Sequence, residues 1–176
     1  MLFDFFYTIF ELKKVSRKGW KEKVGIEKPE SVADHTYGTA IIAMILSDIK
    51  NLDTEKMIKM ALLHDLAESI IGDFTPNEIS KENKKIIENE TMENILNKLP
   101  VNVSEQYSTI WKEFQESETD EAVLLHDIDR LEMAIQAAKY SAEGHPKEKL
   151  NEFVESARNE IKSKDLLEIL DTISYK

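Results

Sequence analysis

Four ionisable side chains, His64, Asp65, Glu68 and Asp73, fall inside an otherwise apolar segment, MALLHDLAESIIGD at 60–73. A polar group left unpaired among Leu and Ile costs several kcal/mol, so these four either satisfy one another or gather around a cation. On a helix of about 3.6 residues per turn, His64 and Glu68 stand one turn apart on one face, with Asp65 on the adjoining row. An imidazole and a carboxylate could then grip a metal from a single turn, while Glu68 reaches a water on that metal. Gly72 is expected to end the helix in the left-handed conformation, leaving Asp73 on the loop beyond it and facing the same site.

The elements around this segment must supply the remaining ligands. Ser31 and Asp34 read as the N-cap and acidic partner of a helix running to about Lys50, with Ile41, Met44, Ile45 and Ile49 as its apolar stripe. His35 lies at the edge of that stripe, where a single histidine is more often a hydrogen-bonded core residue than a ligand. Asp53 starts the helix whose apolar positions Met57, Met60, Ala61 and Leu63 lead into His64. Residues 81–99 form a charged helix with Ile86, Ile87, Met92, Ile95, Leu96 and Leu99 as its buried side, a Lys/Glu face in water and Pro100 as its stop. A helix over 103–114 follows, with Trp111 in the core. A long helix over 120–142 sets Asp129 one turn from both Leu125 and Met133, on its apolar side, where a structural ion pair with Arg130 is the competing reading. His126 and Asp127 point elsewhere. Helices over 147–162 and 164–173 finish the chain.

Residues 15–30, broken by Gly19, Gly25 and Pro29, read as an irregular, cation-rich connection. Arg17 offers a fork for phosphate and Trp20 an indole face for a ribose or base, set against a solvated basic loop with Trp20 plugging the core. The first helix, rich in Phe, reads as core or dimer contact, with a membrane-surface or partner-binding helix as the alternative. It carries Asp4 and Glu11 and offers no basic start or small-residue cleavage site, so it does not read as a signal peptide.

Composition narrows the function. The 176 residues are expected to form one all-α domain of about eight helices around a central metal site, the motif-bearing core spanning about 10–155 with the C-terminal helices of 147–173 packed on it. Without cysteine there are no disulfides, thiolate zinc sites or cysteine nucleophiles, which is compatible with the cytoplasm. A net charge of −11 disfavours nucleic acid and anionic membranes as partners, and no stretch is long and apolar enough to span one. A phosphorylated small molecule would need a metal or placed cations to enter the same field.

Together His35, the His64–Asp65 pair and Asp129 put two imidazoles and two carboxylates on three inward-facing helices, a set suited to Mn, Co, Fe, Zn or Mg with positions open for water and substrate. The ordered stretches RKGW (17–20), PESVADH (29–35), ALLHDLAE (61–68), GD (72–73) and DRLEM (129–133) resemble the HD-domain metal-dependent phosphohydrolases, patterned H…HD…D, and within them the 5′-deoxynucleotidase group. The resemblance implies His35, His64, Asp65 and Asp129 as metal ligands, Glu68 and Asp73 as catalytic or water-positioning groups, and Arg17 and Trp20 as substrate contacts. It also implies a homodimer that hydrolyses nucleoside 5′-monophosphates. The competing expectations are the same site acting on triphosphates, alarmones or cyclic phosphodiesters, and a helical protein that senses nucleotides without turnover. No glycine-rich phosphate loop of the Walker type is present.

Overall fold

Local capping sets where the helices begin. The Ser31 hydroxyl accepts from the Asp34 N–H at 3.1 Å while the Asp34 carboxylate accepts from the Ser31 N–H at 2.9 Å. Asp53, Ser80 and Thr119 cap three further helices through single side-chain bonds. The computed structural model describes residues 2–173. Among them are nine α-helices: α1 (Leu2–Leu12), α2 (Val32–Lys50), α3 (Thr54–Leu63), α4 (Glu68–Ile71), α5 (Lys81–Leu96), α6 (Val101–Glu116), α7 (Asp120–Ala142), α8 (Lys147–Glu160) and α9 (Lys164–Asp171). One antiparallel bridge, Ser16 to Ser31, fastens the chain before α2, and a five-residue π-turn, Trp20–Val24, fills the connection expected to be irregular.

Helix α2 packs on α3 and α7, and α7 also packs against α8 and α9. The buried face of α2 is not the stripe expected from the sequence: it consists of Val32, His35, Thr36, Thr39, Ala40, Ala43 and Ser47. Ile41, Ile45 and Ile49 are exposed instead, in a row with Tyr37. Small side chains let α2 approach α3 and α7 closely, so the larger aliphatics turn outward. Gly38 marks the tightest approach, since a Cβ there would lie 2.9 Å from Glu132 Oε1. The same packing buries His35 completely.

The expected helix through 60–73 is interrupted. Helix α3 ends at Leu63, and tight turns carry the chain through 64–67 (Leu66 N–H to Leu63 O, 3.0 Å; Glu68 N–H to Asp65 O, 3.0 Å) before the single turn of α4. Gly72 does adopt positive φ, 79°, but with ψ 169° it extends the chain rather than making a left-handed cap. On α5, Met92, Ile95 and Leu96 are buried as expected, whereas Ile86 is exposed. Helix α1 rests on α4 and α5 through Phe5, Thr8 and Leu12, leaving Phe3, Phe6, Tyr7 and Phe10 in solvent. No helix among the described residues is long and apolar enough to cross a membrane.

Candidate metal centre

Three helices bring the expected ligands to one point. His35 rises from the first turn of α2, His64 closes α3 and Asp129 lies midway along α7. Their ligating atoms lie within 4.8 Å of one another. His35 Nε2 is 3.1 Å from Asp129 Oδ1 and 3.3 Å from His64 Nε2. Asp65 Oδ2 completes the cluster, 3.3 Å from His64 Nε2 and 3.5 Å from His35 Nε2.

Each imidazole is held by its other nitrogen. His64 Nδ1–H donates to the Ala61 carbonyl at 2.6 Å, and His35 Nδ1–H donates to Glu132 Oε2 at 2.5 Å. Both Nε2 lone pairs are thereby turned toward each other and toward two carboxylates, an arrangement that needs a positive charge at its centre. Asp65 Oδ2 is buried without a hydrogen-bond partner, as a ligand oxygen awaiting a cation would be. Two imidazole nitrogens and two carboxylate oxygens fit a divalent ion with open positions.

The same carboxylates favour positive charge on His35. Burial and Arg17 oppose a charged His35, but hydrogen bonds to Asp129 and Glu132 outweigh them and hold its pKa up to about 10. Burial likewise opposes charge on Asp129, yet His35 and Arg130 hold it well below the ordinary carboxylate range. Asp65 is pulled down, against burial, by His64 and His35.

A ring of second groups surrounds the four. The bridge between Ser16 and Ser31, with Arg17 N–H bonded to Glu30 O at 3.0 Å, sets Arg17 beside the cluster, its Nη1 3.7 Å from Asp65 Oδ2. The guanidinium stays charged, its burial overcome by Asp65, Asp129, Asp73 and Glu68. Asp73 Oδ2 accepts the Lys18 N–H at 2.6 Å, which ties the loop after α4 to the segment carrying Arg17. Glu68 is buried at the start of α4 and receives Lys84 Nζ on Oε1 at 3.2 Å. Burial, then Asp65, raise its pKa well above normal, with Lys84 pulling the other way.

The structure does not bring Trp20 to this ring. Its side chain is 1% exposed, its indole N–H donates to Glu30 at 2.9 Å, and Phe153 and Tyr140 lie against it at centroid distances of 4.3 and 5.4 Å. The expected ligand platform is a core residue that braces the loop carrying Arg17. The Glu30 backbone N–H in turn donates to the Tyr140 hydroxyl oxygen at 2.8 Å.

Sequence reasoning missed three participants. Glu132 follows Asp129 by three residues and so shares its face; Gly38 follows His35 by three and leaves room for Glu132. Lys84, assigned to a solvated face, turns inward to Glu68. A second LLHD string, 124–127, takes no part: His126 stacks on Phe114 at 4.3 Å, and Asp127 accepts the Ser163 N–H at 2.7 Å to hold the start of α9.

An HD-domain family model matches residues 9–169, which is most of the chain. The chain belongs to the HD-domain family. This HD-domain protein is 40% identical over 166 residues to the 5′-deoxynucleotidase HDDC2 of Dictyostelium discoideum, covering 88% of this chain and 87% of that one. It is 39% identical over 154 residues to the 5′-deoxynucleotidase hdd1 of Schizosaccharomyces pombe, covering 85% and 77%. Among solved structures, a conserved hypothetical protein from Pyrococcus furiosus superimposes with a TM-score of 0.80 at 31% identity, over 97% of this chain and 98% of that one.

Proposed function

We propose that this HD-domain protein is a metal-dependent 5′-deoxynucleotidase, hydrolysing deoxynucleoside 5′-monophosphates to nucleoside and phosphate. The observation that carries the reading is the pair of histidines with both Nε2 lone pairs converging on the oxygens of Asp65 and Asp129. The 5′-deoxynucleotidase names of its relatives supply the substrate class.

His35, His64, Asp65 and Asp129 hold the divalent ion. Two nitrogen ligands favour Mn, Co, Fe or Zn over Mg. When bound, such an ion polarises a phosphoryl oxygen and lowers the pKa of a water. Arg17 neutralises charge on the phosphoryl oxygens as the water's oxygen bonds to phosphorus and the bond to the 5′ oxygen breaks. Glu68, whose pKa burial raises, is placed to take the water's proton, which the departing 5′ oxygen needs to leave as a hydroxyl. Asp73, fixed by the Lys18 N–H, orients the water or the leaving group.

We read the chain as one domain that acts in the cytoplasm as a homodimer. The dimer is supported by the exposed row of Tyr37, Ile41, Ile45 and Ile49 on α2, and the compartment by the absence of cysteine. Phosphate release from a panel of monophosphates, triphosphates and cyclic diesters on metal-stripped and reloaded protein tests the assignment. Turnover confined to diesters or triphosphates would overturn it. Sedimentation of wild type beside Ile45→Glu tests the dimer, which that charge should dissociate.

A further inference from the structure

We infer that Lys84 is the positioning residue for Glu68: from α5 it clamps one oxygen of that carboxylate and leaves the other free to take a proton from water. The inference rests on the nucleotidase reading of the same site. Lys84 Nζ lies 3.2 Å from Glu68 Oε1 and 3.4 Å from Glu88 Oε1 one turn further along α5. The side chains of Glu68 and Glu88 are only 2% and 14% exposed, and that of Lys84 29%. The ammonium is therefore held between two carboxylates against the centre, with little freedom to wander into solvent.

The division between the two Glu68 oxygens gives the contact its meaning. Oε1 accepts from Lys84, while Oε2 is buried without a hydrogen-bond partner. A glutamate has three side-chain torsions, and α4, a single turn, cannot fix them alone. A cation reaching across from another helix fixes one oxygen and so the direction of the other. Glu88 fixes the cation in its turn.

The test compares wild type, Lys84→Met, Lys84→Arg, Glu68→Gln and the Lys84→Met/Glu68→Gln double variant on a deoxynucleoside monophosphate with saturating Mn²⁺. Lys84→Met should lower kcat roughly tenfold to hundredfold, as displacement of a positioned group by about 1 Å does, with KM little changed. Lys84→Arg should restore most of the rate. The double variant should be no slower than Glu68→Gln, because the lysine acts through the glutamate. A raised KM at unchanged kcat, or additive losses in the double variant, would overturn the inference in favour of direct substrate contact. So would a rate loss that follows only a lowered Tm, with no rescue by Lys84→Arg.

A second readout needs no turnover. In crystal structures of the metal-free proteins, the Glu68 carboxylate should leave its wild-type rotamer in Lys84→Met and keep it in Lys84→Arg. A carboxylate unmoved in Lys84→Met overturns the inference. If wild type releases no phosphate from any monophosphate, the nucleotidase reading fails while this comparison still decides the role of Lys84.

Discussion

Replacing Glu132 with Gln removes one charge from behind the centre and leaves every candidate ligand in place. The carboxylate accepts His35 Nδ1–H at 2.5 Å and is buried, so in the Gln variant the amide oxygen can occupy the same position. A hydrogen bond to a charged group contributes roughly 1.5–3 kcal/mol and a neutral one roughly 0.5–1.5, a difference near 1.4 kcal/mol, or tenfold in affinity. Glu132 favours a proton on His35 as well as a metal ion, which offsets part of the loss. A divalent ion carries twice the proton's charge, so the net effect remains weaker metal binding. The expected Kd for Mn²⁺ or Zn²⁺ therefore rises by less than that, about threefold to tenfold, up to the lower edge of the range seen when partners behind a ligand are changed. Calorimetric titration of metal-stripped protein at fixed pH, with circular dichroism to confirm the fold, measures it. Gly38→Ala should act in the same direction, because its Cβ would press on Glu132 Oε1 at 2.9 Å. Unchanged affinity in a folded Glu132→Gln protein would refute the claim that this carboxylate tunes His35.

Other consequences follow from the same geometry. Because His35 is held up to about 10 without an ion, metal loading near pH 7.5 should release about one proton, read from calorimetry in buffers of different ionisation enthalpy. The folded pKa lies above the unfolded value of about 6.5, so this stabilisation is complete below that value and is lost as pH rises through about 10. The Tm of metal-free protein should accordingly fall over that interval, and a flat Tm would contradict the assignment. Trp20→Ala should destabilise by about 3–5 kcal/mol in denaturant melts. Trp20→Phe, which keeps the packing, should leave KM near wild type, whereas a large rise in KM would restore the ligand-platform reading. Arg17→Lys keeps a charge but loses the planar fork, and should cut kcat/KM about tenfold or more in steady-state assays.

Much of this arrangement was legible in the chain, for reasons that differ by residue. The Ser31–Asp34 box and the Thr119 cap fixed the starts of α2 and α7 within local sequence, which is why the facing of Asp129 could be read correctly. The inward turn of His35 was harder, because apolar periodicity on α2 points to Ile41, Ile45 and Ile49 while close packing selects Thr39, Ala40 and Ala43. Periodicity finds a stripe; it does not say whether bulk or smallness decides which face is covered. The break at 64–67 carries no Pro or Gly, so nothing local announced it, and its turns are held by the tertiary setting of His64 and Asp65. Lys84 sits in a Lys/Glu-rich helix where any one lysine looks solvated, and only the placement of α4 against α5 distinguishes it. Trp20 had two readings in sequence, and the burial against Phe153 and Tyr140 selects the core.

The central claim is that four side chains on α2, α7 and the end of α3 hold an ion that serves phosphomonoester hydrolysis. Phosphate release from deoxynucleoside 5′-monophosphates by metal-stripped protein, before and after addition of Mn²⁺, Co²⁺ or Zn²⁺ and beside Asp129→Asn, tests it most directly. No release is expected until an ion is added, with release restored in the wild type and reduced by at least about a hundredfold in the variant. Equal release from stripped and reloaded protein, or an Asp129→Asn variant as active as wild type, would contradict it.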